Sequence, residues 1–229
     1  MNLKHHRIEI LENKKESSLL HYIKTSKPKE YSFINGQYIS AHKEGFEDTY
    51  FALASHPDDL YLEFLIKKSH HLAGEITSRG PGFQFNISSP QGPGFDHNKL
   101  KGQNILLITH GSGISAFLGL IKEIRNHREN YKSVLLLYGV RSPDEFPLKN
   151  TIREWMGSME IYDIISQTPP DGQFWNGEIG HVQDILNKLN PKAEQTIALI
   201  SGSDKMEQDV KKILFTMHFS ANQIFTNRS

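Results

Sequence analysis

Up to about residue 100, apolar and polar positions mostly alternate along the chain. In "YLEFLIKK", Leu62, Phe64 and Ile66 fall on one side of an extended segment, with Glu63 and Lys67 on the other. Phe83, Phe85 and Ile87 repeat the pattern in "GFQFNIS". The runs "YSFI", "GQYISA" and "TYFALAS" are set apart by Gly, Pro, Asn and Asp. Short strands punctuated in this way predict an antiparallel barrel or sandwich.

From about residue 103 the period changes. "NILLIT" is a buried-strand run, and Ile114, Phe117, Leu118, Ile121 and Ile124 follow at helical spacing. Then come the apolar "SVLLLYGV", an amphipathic "PDEFPLKNTIREWMG" and the strand-like "MEIYDIIS". After a loop rich in Pro, Gly and Asp, "VQDILNKL" reads as helix, "TIALISG" as strand, "DKMEQDVKKILFTMH" as helix and "NQIFTN" as a last short strand. Alternation of this kind predicts a parallel sheet covered by helices on both faces. The expected fold is a two-domain α+β chain: a β-barrel over 1–100 and an α/β domain over 101–229, joined through "GPGFDHNKLKGQ".

Composition narrows the function classes. Lys plus Arg and Asp plus Glu each total 26, so no basic surplus points to nucleic acid or an anionic membrane. There are no cysteines, which excludes disulfides, thiolate-bound zinc, iron–sulfur clusters and cysteine nucleophiles in this chain. The opening "MNLKHHRIEILENKKESS" lacks an apolar signal core, and runs such as "VLLLYGV" are too short to span a bilayer. A soluble, cytoplasmic protein is the expectation.

In a parallel sheet, ligands sit beyond the carboxyl ends of the strands. Three such ends carry glycine: "THGSGIS", "LYGVRSPDE" and "ISGSDKM". Gly111 and Gly113 would let the backbone approach a phosphate, and the helix that follows offers free N–H groups and a positive dipole end. A tight strand–helix connection is the plainer reading of any one of these turns.

The order of motifs resembles the ferredoxin–NADP reductase-like superfamily, in which a flavin-binding barrel precedes an NAD(P)-binding domain. "INGQYIS" is similar to the family's Pro-Gly-Gln strand, "YFALASHP" to its flavin-binding strand, and "FLIKKSHHLAGEIT" to the next strand with its Gly-x-x-Ser/Thr turn. "ISSPQGPGF" resembles the Gly-Pro-x-Gly-x-Gly-Phe segment. "ITHGSGISAF", "LLLYGVRSPDE", "GEIGHVQDIL" and "LISGSDKM" match the nucleotide-side motifs in order. The resemblance implies a flavin (FAD or FMN) held by Phe51, Ala52, Leu53 and Ser55, by Ile66 and Lys67, and by the turn with Gly74, Ile76 and Thr77. It implies NAD(P)H held by Gly111, Ser112, Gly113 and Ile114, by Gly139 and Arg141, and by Gly202, Ser203 and Met206. Hydride would pass from NAD(P)H to flavin and electrons onward to an unidentified acceptor, a protein electron acceptor among the candidates.

The chain departs from the family pattern on both its flavin and its nucleotide sides. The usual Arg-x-Tyr-Ser is Thr49-Tyr50-Phe51-Ala52, so the phosphate-pairing arginine and the serine near flavin N5 are missing, and Phe51 is left to supply an aromatic face. His110 replaces the first nucleotide-loop glycine and Ala116 the proline. Ser201, a catalytic candidate, replaces the cysteine near the nicotinamide. These changes leave open a non-catalytic module that keeps the fold and works through a nucleotide or partner. A third reading is a zinc-dependent N-deacetylase built on His56-Pro57-Asp58-Asp59, against the plainer reading of a turn between two strands. No metal ligand set is expected, and the adjacent pairs His5-His6 and His70-His71 are expected to be exposed. Trp155 and Trp175 are expected to be packing residues.

Overall fold

The computed structural model describes residues 5–169 and 174–228. The chain divides into two compact units: Met1–Phe95 with Ser115–Lys122 and Asn227–Ser229, and Asp96–Ile114 with Glu123–Thr226.

The first unit is built from six antiparallel strands: β1 (His6–Lys15), β2 (Leu20–Ser26), β3 (Tyr38–His42), β4 (Thr49–Ala52), β5 (Tyr61–Lys67) and, after helix α1 (His71–Ser78), β6 (Gln84–Ile87). Their order is β4-β3-β6-β1-β2-β5. Just past β4, the Ala54 N–H donates to the Glu63 carbonyl of β5 (2.9 Å), so the sheet curls until its two edges nearly meet. Alternation fills the barrel. Ile8 and Ile10, Leu62, Phe64 and Ile66, and Phe85 and Ile87 all point inward and are buried, with Leu72 and Ile76 of α1 packed against them. The register of β1 on β2 slips between Ile10 and Glu12, and the bulged Leu11 is left exposed. Asn13 of β1 donates to the Thr77 and Arg79 carbonyls (3.0 and 2.5 Å), satisfying acceptors at the end of α1.

"YSFI" does not form a strand. Residues 31–34 are irregular, with Tyr31 and Phe33 packed into the barrel core and the Tyr31 hydroxyl donating to the Ser88 carbonyl (2.8 Å). Nor is Gly74–Thr77 a turn. It lies within α1, because Leu72, Ala73, Ile76 and Thr77 recur at helical spacing and bury one face.

The second unit runs α2 (His97–Leu100), β7 (Asn104–His110), α3 (Ser115–Asn126), β8 (Val134–Val140), α4 (Lys149–Trp155), β9 (Glu160–Ile165), β10 (Glu178–Ile179), α5 (Val182–Leu189), β11 (Thr196–Ser201), α6 (Asp204–Thr216) and β12 (Ile224–Thr226). Residues Ser115–Lys122 of α3 cluster with the first unit. All six strands are parallel, in the order β10-β9-β8-β7-β11-β12. Leu106, Ile108, Leu137 and Ile200 pack under Val182, Ile185 and Leu186 of α5 and Met206, Val210 and Leu214 of α6. Ile105, Leu107 and Leu136, which point to the other face, are equally buried, as expected of continuous apolar strands covered on both sides.

The amphipathic stretch 143–157 is helical only in part. Pro147 holds Phe146 extended (ψ 117), so a 3₁₀ turn at Pro143–Glu145 stops and α4 begins afresh at Lys149. Trp155 is buried, and Trp175 stacks on Phe146 at 5.4 Å, both as packing residues. Among the described residues, no helix is long and apolar enough to cross a membrane.

Candidate functional site

The sheet of the second unit winds outward from β7 through β8 and β9 to β10, then returns to the other side of β7 with β11. Winding therefore reverses between β7 and β11. Open α/β sheets bind ligands beyond the strand ends at such a switch point.

After β7, residues Gly111–Ile114 form a 3₁₀ turn that runs straight into α3. Its two glycines do different work. Gly111 has φ +55, a left-handed conformation that favours glycine, and a Cβ there would meet nothing within 4 Å. Its outer face is open. A Cβ on Gly113 would stand 2.6 Å from the Ser201 carbonyl oxygen and 2.7 Å from Thr109 Oγ1. Gly113 thus makes room for β11 rather than for a ligand. Ile114 is buried and Ser112 half-buried. The Tyr138 hydroxyl donates to the Gly111 carbonyl (3.0 Å) from beneath, and burial pushes that phenol well above its usual range, so it stays a donor.

The three glycine-bearing strand ends converge on His110. It pairs across β7–β8 with Gly139, and its Nε2 accepts the Ser203 N–H of the loop after β11 (3.1 Å). Gly202 lies directly against the ring and against Met206. Glu207, only 7% exposed, accepts the Gly202 N–H (3.3 Å), and Ser203 caps α6 by accepting the Met206 N–H (3.4 Å). Ser201 and Met206 are buried. Arg141 is exposed, with its backbone N–H donating to Glu145 (3.3 Å). Glu207 stands outside the residues that motif order assigns to the site, whereas His110 takes the place of the first nucleotide-loop glycine. Only the tertiary pairing of β7 with β11 brings them together.

In the first unit, Phe51 and Ala52 lie on β4, with Leu53 and Ser55 just beyond it. Cross-strand partners share a face. Phe51 stands opposite the buried Ile39, and its ring lies 6.2 Å from Phe64 of the core. Ala52 stands opposite Tyr38 on the other face, beside Tyr50. The outward aromatic ring of β4 is therefore Tyr50, 64% exposed and in edge contact with Tyr38 at 6.0 Å, rather than Phe51. Strand alternation carried that signal. Ile66 is 1% exposed, Lys67 exposed, and Ile76 and Thr77 buried within α1, where the Thr77 hydroxyl donates to the Ala73 carbonyl (2.9 Å). Gly74 packs closely under the Ser69 carbonyl, so its missing side chain lets α1 start tightly after β5. The Ser55 hydroxyl is buried, with no hydrogen-bond partner among the described residues.

The His56–Asp59 segment is a turn. Asp59 accepts the His56 N–H (2.8 Å) and is ion-paired with Lys122 of α3, while Lys27 donates to the Pro57 and Asp59 carbonyls. That carboxylate holds the loop. Among the described residues, no three His, Cys, Asp or Glu side chains are grouped as a metal site would require. His70 and His71 are exposed, whereas His6 is half-buried with its ring against Tyr31 at 5.1 Å.

Residues 107–212 match the oxidoreductase NAD-binding domain family. The chain is 27% identical over 218 residues to fruit protein pKIWI502 of Actinidia deliciosa, covering 86% of this chain and 67% of that one. It is 24% identical over 203 residues to NADH-cytochrome b5 reductase 1 of Dictyostelium discoideum, covering 83% and 69%. It is 28% identical over 196 residues to a probable dihydroorotate dehydrogenase B (NAD(+)), electron transfer subunit, of Pyrococcus furiosus, covering 86% and 69%. Among solved structures, a ferredoxin NADP+ reductase from Neisseria gonorrhoeae with bound FAD and NADP superposes with a TM-score of 0.84 at 19% identity, over 97% of this chain and 98% of that one. An antiparallel barrel followed by a parallel sheet is the two-domain fold of the ferredoxin–NADP reductase-like superfamily, and the match to the oxidoreductase NAD-binding domain family spans β7 to α6 within it.

Proposed function

We propose that the chain is an NAD(P)H-dependent flavin oxidoreductase, taking hydride from NADH or NADPH to a bound FAD or FMN and passing electrons to an acceptor. The observation that carries this reading is the convergence of three glycine-bearing strand ends at the β7/β11 switch point, with Gly111 open above it. A phosphate would lie there. Among the described residues nothing comes within 4 Å of a Cβ built on Gly111, and the turn Gly111–Ile114 opens the helical run of α3, at the positive end of its dipole. Gly139 and Arg141 would meet the ribose side, and Ser201, Gly202, Ser203 and Met206 the nicotinamide side.

In the barrel unit, the backbone of Phe51, Ala52, Leu53 and Ser55, the strand at Ile66 and Lys67, and the start of the helix carrying Gly74, Ile76 and Thr77 would hold the flavin. Among the described residues no side chain caps the N-terminal amides of that helix. The bound flavin supplies the redox chemistry, so the protein needs no general acid or base for hydride transfer, only orientation and exclusion of water. One relative is an electron transfer subunit, which favours a protein acceptor.

A second reading is a nucleotide-binding module without redox turnover. It is favoured by Ala52, which presents a methyl group on the outward face of β4, and by the inward turn of Phe51. Spectra separate the two. The purified chain, or the chain reconstituted with FAD or FMN, is expected to show visible flavin absorbance that bleaches when NADH or NADPH is added without oxygen. Flavin bound but never bleached favours the module. No binding at high micromolar FAD or FMN removes the oxidoreductase reading.

A further inference from the structure

We propose that His110 is a positioning residue that latches the loop after β11 to the end of β7 and so sets the dinucleotide-binding conformation of residues 201–203. The proposal rests on the functional reading above for its ligand, but on geometry alone for the latch.

His110 is the last residue of β7, and its ring crosses to the neighbouring strand end. Nε2 accepts the Ser203 N–H at 3.1 Å and lies 3.3 Å from Ser203 Oγ. An N–H can be accepted only by an unprotonated nitrogen, so this bond assigns the proton of the neutral ring to Nδ1. The ring needs space that a side chain at 202 would take. A Cβ on Gly202 would stand 2.8 Å from His110 Cδ2 and 3.1 Å from Nε2. Glycine at 202 and histidine at 110 are therefore a fitted pair, and neither neighbour would suit the other's replacement by a bulkier residue.

The loop is held from its other side as well, by Glu207, which accepts the Gly202 N–H. Two side chains from different elements thus fix two consecutive amides at the point where β11 turns into α6. A loop ordered before the ligand arrives spares the ligand the cost of ordering it. His110 contributes by holding Ser203 and Gly202 in place, through a single acceptor nitrogen, rather than by touching the reacting atoms.

The test uses the full chain and two variants, His110→Gly and His110→Gln. Glutamine can place its carbonyl oxygen near the position of Nε2, whereas glycine removes the acceptor. Amide hydrogen exchange at Ser203, read by NMR without nucleotide, is expected to quicken in His110→Gly and to return toward the parent in His110→Gln. NADH and NADPH dissociation constants should rise about 5–20-fold in His110→Gly, the scale of one lost hydrogen bond and some loop ordering. KM should rise with them, while flavin reduction at saturating nucleotide changes less. Unchanged Ser203 exchange in a folded His110→Gly chain overturns the latch, as does a glutamine variant indistinguishable from the glycine one. If the parent binds neither NADH nor NADPH, the dinucleotide reading fails, and the exchange measurement still decides the latch.

Discussion

Glu63 shows what a single side chain costs in this barrel. It projects from β5 with its carboxylate accepting the Tyr22 hydroxyl. Burial holds its carboxyl above the usual glutamate range, with the nearby Asp59 adding to this and Tyr22, Lys24 and Lys122 opposing it. The folded chain therefore takes up this proton more readily than the unfolded one. Stability from that difference is full below the unfolded glutamate value and is lost as pH rises through the folded one. Glu63→Gln keeps an acceptor for Tyr22 and removes the charge. Its Tm is expected to exceed the parent's at pH 8, with the gap closing toward pH 4; a gap that stays constant across pH would assign the effect elsewhere. A second residue-scale prediction concerns rate. Ala52 offers a methyl group on the outer face of β4, and a preorganised hydrogen bond to developing charge is worth roughly 10²-fold. Ala52→Ser is expected to raise the single-turnover rate of flavin reduction by up to roughly 10²-fold, with nucleotide affinity little changed. A serine variant no faster than the parent would mean that this face of β4 does not meet the flavin.

At the scale of elements, the turn between β7 and α3 separates two uses of glycine that look alike as letters. Gly113 has the Ser201 carbonyl against it, so Gly113→Ala must push the turn off β11 before any ligand binds. Overpacking of this kind costs about 1–3 kcal/mol, a loss of roughly 2–4 °C in Tm per kcal/mol for a chain of this size. Gly111→Ala meets no atom but must hold φ +55, at about 1–2 kcal/mol. Of the two, the alanine at 111 is the informative probe of a phosphate, because only its face is open. We expect calorimetry to find both variants folded but less stable, and fluorescence titration to find NAD(P)H binding weakened at 111 beyond what the stability loss explains. Parent-like affinity in a folded Gly111→Ala chain would make the turn a connection only.

Across the whole molecule, ligands that bind only the folded chain must stabilise it. A dinucleotide at 100 times its Kd contributes about 2.7 kcal/mol, or roughly 5–10 °C in Tm. Thermal scans with saturating FAD, and then with FAD and NADH or NADPH, are expected to rise stepwise. A scan that does not move with either nucleotide counts against the site in the α/β unit, and one that does not move with FAD counts against the barrel.

Much of this architecture was legible from letters because period and punctuation are local. Alternation in "YLEFLIKK" and "GFQFNIS" marked barrel strands, since burying one face of a pleated chain requires it. The α5, β11 and α6 segments were marked by the change of period. Local signals also misled where a partner decided the outcome. Residues 31–34 read as a strand, yet they pack as irregular chain because Tyr31 finds the Ser88 carbonyl, and "GEIT" read as a turn, yet it is helix because its apolar positions find the barrel. Three glycine-bearing turns could be listed from the sequence, but their meeting at His110 could not. Residues 110, 139 and 202 are brought together by parallel pairing of β8 and β11 on either side of β7, and by the reversal of winding between β7 and β11. Which glycine faces a ligand and which faces a carbonyl was settled only there, because a close approach belongs to two chains and a sequence shows one.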